Sequence, residues 1–359
     1  MINDGVKKAV IAMSGGVDSS VAALLTADMG FECIGATMKL FNNDDIGEKR
    51  ENSCCSLEDV EDARSVAHSL GMKYYVFNFS DCFRENVIDR FIDAYENGRT
   101  PNPCIDCNRY LKFDKLYQRT REIGFDYVVT GHYARIEHNG ERYILKKALD
   151  DTKDQSYVLY SMTQEQLAHT LFPLGALKKT EVREIAEKHG FINAKKHDSQ
   201  DICFVQTGGY ADFIRQYTGK DYAAGDFKDT DGNVIGRHKG IINYTIGQHK
   251  GLGISTDEPL YVKEICVKDN TVILCKSEEL FSRKLTAKNI NLISTDSIEK
   301  PMRVTAKVRY RQTEQLATVV QTGEDTLEFE FDEPQRAVTK GQAVVIYDGD
   351  TVVGGGTIQ

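Results

Sequence analysis

The stretch VIAMSGGVDSSVAALL, residues 10–25, joins an apolar run to a helical run through a serine and two glycines. An apolar run, a glycine-rich turn and a helix in this order are typical of the first unit of a parallel sheet. Glycines let a ligand approach the backbone, and the helix N-terminus supplies N–H groups and the positive end of its dipole. The stretch therefore predicts an anion-binding loop at the carboxyl end of the first strand.

This loop has no lysine between residues 12 and 20. A kinase-type phosphate loop carries a lysine that reaches the transferred γ-phosphate. A loop that only grips the β- and γ-phosphates instead suits a reaction at the α-phosphate, with pyrophosphate as the leaving group. The alternative interpretation is a glycine-rich turn that binds nothing.

Short β-branched runs alternate with longer helical stretches up to about residue 204, which is typical of a parallel sheet covered by helices. The expected strands are 6–13, 32–40, 73–79 and 126–130, and the expected helices are 19–29, 56–70 and 83–97. From about residue 278 the sequence alternates as in a small antiparallel β-barrel. We therefore predict a Rossmann-like α/β domain over 1–208, a small central domain over 209–277 and a C-terminal antiparallel β-barrel over 278–359.

Composition limits the class of protein. The chain has 359 residues, of which 41% are hydrophobic and 28% charged, as in soluble proteins with more than one core. No apolar run approaches the roughly 18 residues that span a bilayer, and no secretory signal is evident, so we expect a cytoplasmic protein with no membrane partner. The net charge of −9 argues against nonspecific coating of nucleic acid, so an RNA partner would need a local basic surface.

Nine cysteines in a long chain that we expect to be intracellular favour thiol chemistry or a metal over a disulfide framework. The segment RTPNPCIDCNRYLKF, residues 99–113, places Cys104 and Cys107 ahead of a helix expected from about Asn108. The helix dipole and Arg109 would favour the thiolate form there. Cys203 lies in HDSQDICF, residues 197–204. Each cysteine alone is more often a buried structural thiol, and spacing does not show that they meet.

Several blocks together resemble the family of bacterial tRNA-specific 2-thiouridylases, in order and over essentially the whole chain. They are SGGVDSS, GRTPNPCIDCNRYLKF, TGHYAR, KDQSYVLY, DSQDICF, YTIGQHKGLGI, VRYRQ and GQAVVIYDGDTVVGGGTI. The first block also resembles the Ser-Gly-Gly-x-Asp-Ser motif of pyrophosphate-loop ATPases. The resemblance implies a sulfurtransferase that replaces the C2 oxygen of the wobble uridine with sulfur in tRNAs for lysine, glutamate and glutamine.

The resemblance also implies an ATP site. Its members are Ala12, Met13, Ser14, Gly15, Gly16, Val17, Asp18 and Ser19 in the loop, Met38 against the adenine, and Gly131 beside the nucleotide. Asp18 is expected to help place Mg²⁺. ATP would adenylate the pyrimidine oxygen, which is otherwise a poor leaving group. Met38 by itself would more often be a core residue.

For sulfur transfer, the resemblance implies that Cys203 carries a persulfide received from the donor protein of a cysteine desulfurase relay, with Cys107 as the nucleophile. In one route the persulfide attacks C2 and Cys107 then attacks the remaining linkage, leaving a Cys107–Cys203 disulfide. In the other, Cys107 first releases hydrosulfide from Cys203. The family commonly has aspartate where this chain has Cys104, so the general acid is left open, with Asp106 two residues on.

The tRNA contacts implied by the resemblance are His132, Lys153, Asp154, Gln155, Arg309, Tyr310 and Gln342. The run MRVTAKVRYRQ, residues 302–312, is basic with no acid, and alternation along a strand would put Lys307, Arg309 and Arg311 on one face. A basic stripe with an aromatic side chain suits phosphates and a stacked base. A solvated strand face is the alternative.

Four rival interpretations remain. Cys104, Cys107 and Cys203 would suit an iron–sulfur cluster in iron-dependent tRNA thiolation. Zinc held by Cys54, Cys55, Cys104 and Cys107 is weaker, since adjacent cysteines fit one tetrahedron poorly. A pyrophosphate-loop ligase or amidotransferase acting on a small metabolite leaves the cysteines and the basic barrel without a role. A noncatalytic RNA-binding protein leaves the ATP loop unexplained.

Overall fold

The structure is a computed structural model, and it describes residues 6–41, 57–196, 202–205 and 208–359. The chain divides into two compact units. The first unit comprises residues 1–87, 104–204 and 350–352, and the second comprises 88–103, 205–349 and 353–359. No helix within the described ranges combines the length and the apolar character needed to cross a membrane.

The α-helices are α1 (Val17–Asp28), α2 (Leu57–Ser69), α3 (Ser80–Phe83), α4 (Asp89–Glu96), α5 (Pro103–Asp106), α6 (Leu116–Glu122), α7 (Gln164–Ala168), α8 (Lys179–Lys188) and α9 (Tyr210–Thr218). Wider π-helical turns span Arg84–Ile88 and Cys107–Lys115. Short 3₁₀ turns span Ser156–Leu159, Ile241–Asn243 and Ser277–Leu280.

The first-unit strands are β1 (Lys8–Ala12), β2 (Glu32–Lys39), β3 (Lys73–Asn78), β4 (Tyr127–Val129), β5 (Ala134–His138), β6 (Tyr143–Lys147) and β7 (Thr170–Leu171). The strands that follow are β8 (Gly225–Lys228), β9 (Val234–His238), β10 (Tyr261–Cys266), β11 (Thr271–Cys275), β12 (Phe281–Leu292), β13 (Met302–Lys307), β14 (Gln315–Gly323), β15 (Thr326–Arg336), β16 (Ala343–Asp348) and β17 (Thr351–Ile358).

The first unit is built on a parallel sheet with strand order β3-β2-β1-β4-β7. The central strand β1 is apolar on both faces because helices cover both sides, as parallel sheets require, and Ala9 and Ile11 are fully buried. Val21 of α1 and Val66 of α2 lie in the same core. This is the Rossmann-like sheet that the sequence predicts. Ser56, the expected cap of the second helix, lies outside the described residues.

One continuous helical segment, residues 103–122, runs through α5, the π-helical turns and α6. The expectation that this helix begins near Asn108 is wrong, because it begins at Pro103, a residue suited to the first helical position. Cys107 therefore lies inside the helix, and the exposed Cys104 occupies its first turn. The dipole argument for a reactive thiol consequently applies to Cys104 more than to Cys107.

The second unit contains a four-stranded sheet, order β10-β11-β8-β9, and an antiparallel barrel, order β12-β15-β14-β13-β16-β17, that closes where β17 pairs with β12. Alternate residues of the barrel strands, such as Val304, Ala306 and Phe329, fill its interior. The closed barrel is the one the sequence predicts. The expected shared face of Lys307, Arg309 and Arg311 is wrong, since β13 ends at Lys307 and the two arginines follow in a turn.

Candidate active site

The glycine loop, residues 13–19, is the nucleotide loop expected from the sequence. It leaves β1 at a point fixed by the neighbouring strand. The backbone N–H of Met13 donates to the carbonyl oxygen of Ala36 at 2.8 Å. The hydroxyl of Thr37 donates to the carbonyl oxygen of Met13 at 2.6 Å. Met38 follows on β2 and is half-buried. The end of β1 and the expected adenine contact are thus held on adjacent strands.

The carbonyl groups of the loop are bound by protein donors. Ser19 and Ser20 both direct their hydroxyls to the carbonyl oxygen of Gly16, at 3.0 and 3.1 Å. The side-chain amide of Asn193 donates to the carbonyl oxygen of Gly15 at 2.9 Å. Because the N–H of a trans peptide points away from its C=O, the N–H groups of Gly16 and Val17 point away from the donors that hold these two carbonyls. The loop can therefore offer backbone N–H donors to an anion.

Two close approaches explain why glycine occupies two positions of this site. Gly15 has a φ of +73°, and a Cβ there would collide with the backbone of Asp59. A Cβ on Gly131 would lie 2.8 Å from the backbone of Asp18 and Ser19. The expected ATP neighbour Gly131 therefore packs directly on the start of α1. Any larger residue would push these backbones apart.

Asp18 has two partners that sequence reasoning missed. The ammonium of Lys179, on α8, lies 2.7 and 2.8 Å from the two carboxylate oxygens of Asp18, and the hydroxyl of Tyr133 donates to the same carboxylate at 2.8 Å. Lys179 is only 7% exposed. A loop without a lysine thus receives one from a helix 161 residues further along the chain, a distance at which no spacing rule gives a signal.

The three candidate cysteines all belong to the first unit. Cys104 is exposed, whereas Cys107 and Cys203 are half-buried. Phe204, next to Cys203, is buried and packs edge-on against Phe83 with ring centroids 5.7 Å apart. The buried phenylalanine therefore anchors the segment that carries Cys203.

Metal binding by these cysteines gains no support. In the part of the chain that the structure describes, no group of three or more His, Cys, Asp or Glu side chains could hold a metal ion. Cys104, Cys107 and Cys203 are all within that part, so their arrangement does not fit an iron–sulfur cluster. Cys54 and Cys55 of the zinc alternative lie outside the described residues.

His132 links the helix of Cys107 to the nucleotide loop. Its Nε2 lies 3.4 Å from the ammonium of Lys112, and its Nδ1 lies 2.7 Å from the hydroxyl of Thr130. Lys112 belongs to the same π-helical turns as Cys107, and His132 directly follows Gly131. Burial and the charge of Lys112 keep the pKa of His132 well below its ordinary value. The ring is therefore neutral near pH 7 and accepts a hydrogen bond from Lys112.

The expected RNA-contacting loop is organised by its own side chains. The carboxylate of Asp154 accepts hydrogen bonds from the hydroxyl of Ser156 and the backbone N–H of Ala148. The side chain of Gln155 accepts one from the backbone N–H of Tyr133 at 2.9 Å. Lys153 is half-buried. The tRNA contacts of these residues and of His132, which is 7% exposed, stay predictions.

In the second unit, the guanidinium of Arg309 donates to the carbonyl oxygen of Ala337 at 2.7 Å and to the hydroxyl of Thr339 at 2.9 Å. Tyr310 beside it is 38% exposed. Gln342 donates to the carbonyl oxygens of Thr100 and Pro101 at 3.0 and 3.2 Å. Arg309 and Gln342 thus both stabilise loops, and their expected RNA contacts stay predictions.

Comparison with known proteins identifies the family. Three family models match consecutive parts of the chain: the tRNA methyl transferase HUP domain over residues 7–207, the tRNA methyl transferase PRC-barrel domain over 211–276, and the aminomethyltransferase β-barrel domain over 282–358.

Full-length relatives bear the same name. The tRNA-specific 2-thiouridylase MnmA of Clostridioides difficile (strain 630) is 54% identical over 355 residues, which cover 98% of each chain. The protein of that name from Acetivibrio thermocellus is 51% identical over 98% of this chain and 99% of the relative. The resemblance found in the sequence is confirmed: the chain belongs to the family of tRNA-specific 2-thiouridylases.

Proposed function

We propose that this protein is an ATP-dependent tRNA sulfurtransferase that converts the wobble uridine of tRNA to 2-thiouridine. Relatives of about this length that are 54% and 51% identical are named tRNA-specific 2-thiouridylases. The proposed substrates are the tRNAs for lysine, glutamate and glutamine. The proposed sulfur donor is a persulfide-carrying protein of a cysteine desulfurase relay, and the proposed location is the cytoplasm.

One observation in the structure supports this proposal most strongly. Gly131 packs on Asp18 and Ser19 of the nucleotide loop, and the next residue, His132, contacts Lys112 on the helical segment of Cys107. The proposed adenylation site and the proposed nucleophile thus belong to directly contacting elements of one unit. A ligase acting on a small metabolite has no need for that connection.

The nucleotide would be held by the loop. We assign Ala12 to Ser19 to the nucleotide, with the N–H groups of Gly16 and Val17 as donors to the β- and γ-phosphates, since the N–H of Met13 donates to Ala36 and that of Ser14 to the Ser19 hydroxyl. Met38 contacts the adenine, and Gly131 permits close approach. Lys179 neutralises the carboxylate of Asp18 beside the loop, which removes a charge that would repel the phosphates. Carboxylate oxygens suit Mg²⁺, and we assign Asp18 to it, although the ion would have to share that carboxylate with Lys179 and Tyr133.

Sulfur transfer requires two thiols. We assign the persulfide to Cys203 and the attacking thiol to Cys107, and both routes described above use both residues. Tyr310 is suited to stack on an RNA base. The proposed division of labour is a catalytic domain over 1–208, with tRNA contacts in the central domain over 209–277 and in the barrel over 278–359.

The test is a coupled assay with the purified chain, ATP, tRNA and a persulfide donor. We expect pyrophosphate and 2-thiouridine to form in equal amounts. Cys203→Ser should abolish thiolation yet retain pyrophosphate release, because adenylation precedes sulfur transfer, and Cys33→Ser, a half-buried cysteine of β2, is the matched control. Thiolation that persists in Cys203→Ser would contradict the assignment of the persulfide.

A further inference from the structure

The peptide between Gly15 and Gly16 has its orientation set from outside the loop. Its carbonyl oxygen accepts a hydrogen bond from Nδ2 of Asn193 at 2.9 Å. In a planar trans peptide the C=O and the N–H point in opposite directions. Holding the Gly15 carbonyl toward Asn193 therefore directs the N–H of Gly16 away from it.

The same amide also fixes the next peptide. Nδ2 of Asn193 donates its second hydrogen to the hydroxyl oxygen of Ser20 at 2.9 Å. Since that oxygen accepts from Asn193, its own hydrogen is directed to the carbonyl oxygen of Gly16, at 3.1 Å. One side-chain amide thus governs two successive carbonyls of the loop, directly and through Ser20.

Asn193 lies in a turn, but unlike most turn residues it is buried. Its side chain is 2% exposed, and its Oδ1 is buried with no hydrogen-bond partner among the described residues. Three residues on, the ammonium of Lys196 lies 2.7 Å from a carboxylate oxygen of each of Asp59 and Asp62. Burying an amide whose oxygen has no hydrogen-bond partner costs free energy. The two hydrogen bonds that Nδ2 of Asn193 donates must offset that cost.

Gly15 makes this control necessary. With a φ of +73° and no Cβ, its flanking peptides can rotate more easily than those of other residues. A rotated peptide would present a carbonyl oxygen to the phosphates, which repel it. An external donor on the Gly15 carbonyl removes that alternative.

We propose that Asn193 is a positioning residue of the nucleotide loop: its amide holds the Gly15–Gly16 peptide so that the N–H of Gly16 faces the phosphate groups of ATP. This inference rests on the proposed function, since it requires that the loop bind the phosphates of ATP. Asn193 need not touch the nucleotide itself.

The experiment compares the binding of ATP with Mg²⁺ and of adenosine to the full chain. Asn193→Asp keeps the size of the side chain but replaces the donor with a carboxylate, and we expect ATP affinity to fall by about 10-fold or more. Adenosine has no phosphates, so its affinity should change less than about 2-fold, since only loop orientation is altered. A residue that merely stabilised the fold would lower the melting temperature without separating the two ligands.

Two further variants keep the inference falsifiable. Ser20→Ala removes the hydroxyl that connects Asn193 to the carbonyl oxygen of Gly16, and it should also weaken ATP binding. This variant tests the inference even if Asn193→Asp does not fold. Thr26→Val is the matched control, because it removes a buried hydrogen bond of α1, from the Thr26 hydroxyl to the carbonyl oxygen of Ala22 at 2.7 Å, far along the helix from the loop.

The outcomes separate the two proposals. If the unaltered protein binds ATP, and Asn193→Asp and Ser20→Ala bind it as tightly, or lose ATP and adenosine affinity equally, the positioning role is wrong and the proposed function stands. If the unaltered protein fails to bind ATP, the proposed function fails and the inference with it.

Discussion

At the scale of single residues, the nucleotide loop depends on a charge that its own sequence lacks. Lys179 is buried and paired with Asp18, and Tyr133 completes the cluster. A buried partner removed from such a pair leaves an uncompensated charge. The lysine-free loop is therefore electrostatically incomplete until α8 packs against α1.

We predict that Lys179→Met lowers the free energy of unfolding by about 2 kcal/mol and weakens ATP binding, because Asp18 then repels the phosphates. Urea unfolding and ATP titration measure the two effects. Lys178→Met, which alters the exposed neighbouring lysine, is the control. Asp18→Asn combined with Lys179→Met should recover stability, and a double variant no more stable than Lys179→Met would contradict the electrostatic explanation.

The second prediction at the scale of single residues concerns the effect of His132 on stability at acidic pH. Its surroundings are Thr130, Lys112 and the rings of Phe113 and Phe172, and burial keeps its pKa well below the ordinary value. As pH falls through about 6.5, the unfolded chain takes up a proton that the folded protein does not, so stability is lost on the acid side.

We expect this histidine to account for a loss of roughly 1 kcal/mol in the free energy of unfolding by about pH 5.5. Urea titrations of the unaltered protein and of His132→Asn across this range give the difference. The variant should lose less stability on acidification. Parallel pH profiles would show that His132 does not stay neutral in the folded protein.

At the scale of elements, the end of β4 and the start of α1 touch without side chains between them. We predict that Gly131→Ala weakens ATP binding about 10-fold or more, since its Cβ would lie 2.8 Å from the backbone of Asp18 and Ser19 and displace the loop. Gly124→Ala is the control, with a φ of +77° but open space around it. It should cost about 1 kcal/mol of stability and leave ATP affinity unchanged; equal ATP affinities would contradict the packing argument.

The elements also show how far sequence reasoning reaches. The parallel strands and the glycine loop were predictable because apolar runs and turn residues act locally, within a few residues. The start of the helix at Pro103 carries a local signal, since proline suits the first helical position, but the π-helical turns that follow it do not. The end of β13 at Lys307 was not predictable, because the alternation of basic side chains continues into the turn that follows. Lys179 and Asn193 reach the loop only through tertiary packing, which no local pattern encodes.

At the scale of the whole molecule, a chain with a net charge of −9 needs a local basic surface to bind tRNA. In the second unit, Arg303 is paired with Asp332 at 2.7 Å and Lys307 lies 3.7 Å from Glu314. Two of the basic side chains in residues 302–312 are thus paired with carboxylates of the protein itself. Phosphate contacts should accordingly be few and base contacts comparatively important.

We predict that Tyr310→Ala weakens tRNA binding about 10-fold, since a lost stacked base costs about 1–3 kcal/mol, and that the salt dependence of binding hardly changes. Arg311→Ala should instead reduce the salt slope by about one. Titrations at several salt concentrations measure both. Tyr75→Ala, an exposed tyrosine of β3 in the first unit, is the control, and a tRNA affinity unaffected by Tyr310→Ala would remove that residue from the interface.

The π-helical turns over Cys107–Lys115 have a consequence for how the thiol is aimed. A wide turn holds one residue more than regular α-helical winding requires. The same residues wound as a regular α-helix, at about 100° per residue, would turn Cys107 to a different direction about the helix axis relative to α6. The direction in which the Cys107 sulfur points therefore depends on the wide winding of residues 107–115 as well as on the identity of the side chain.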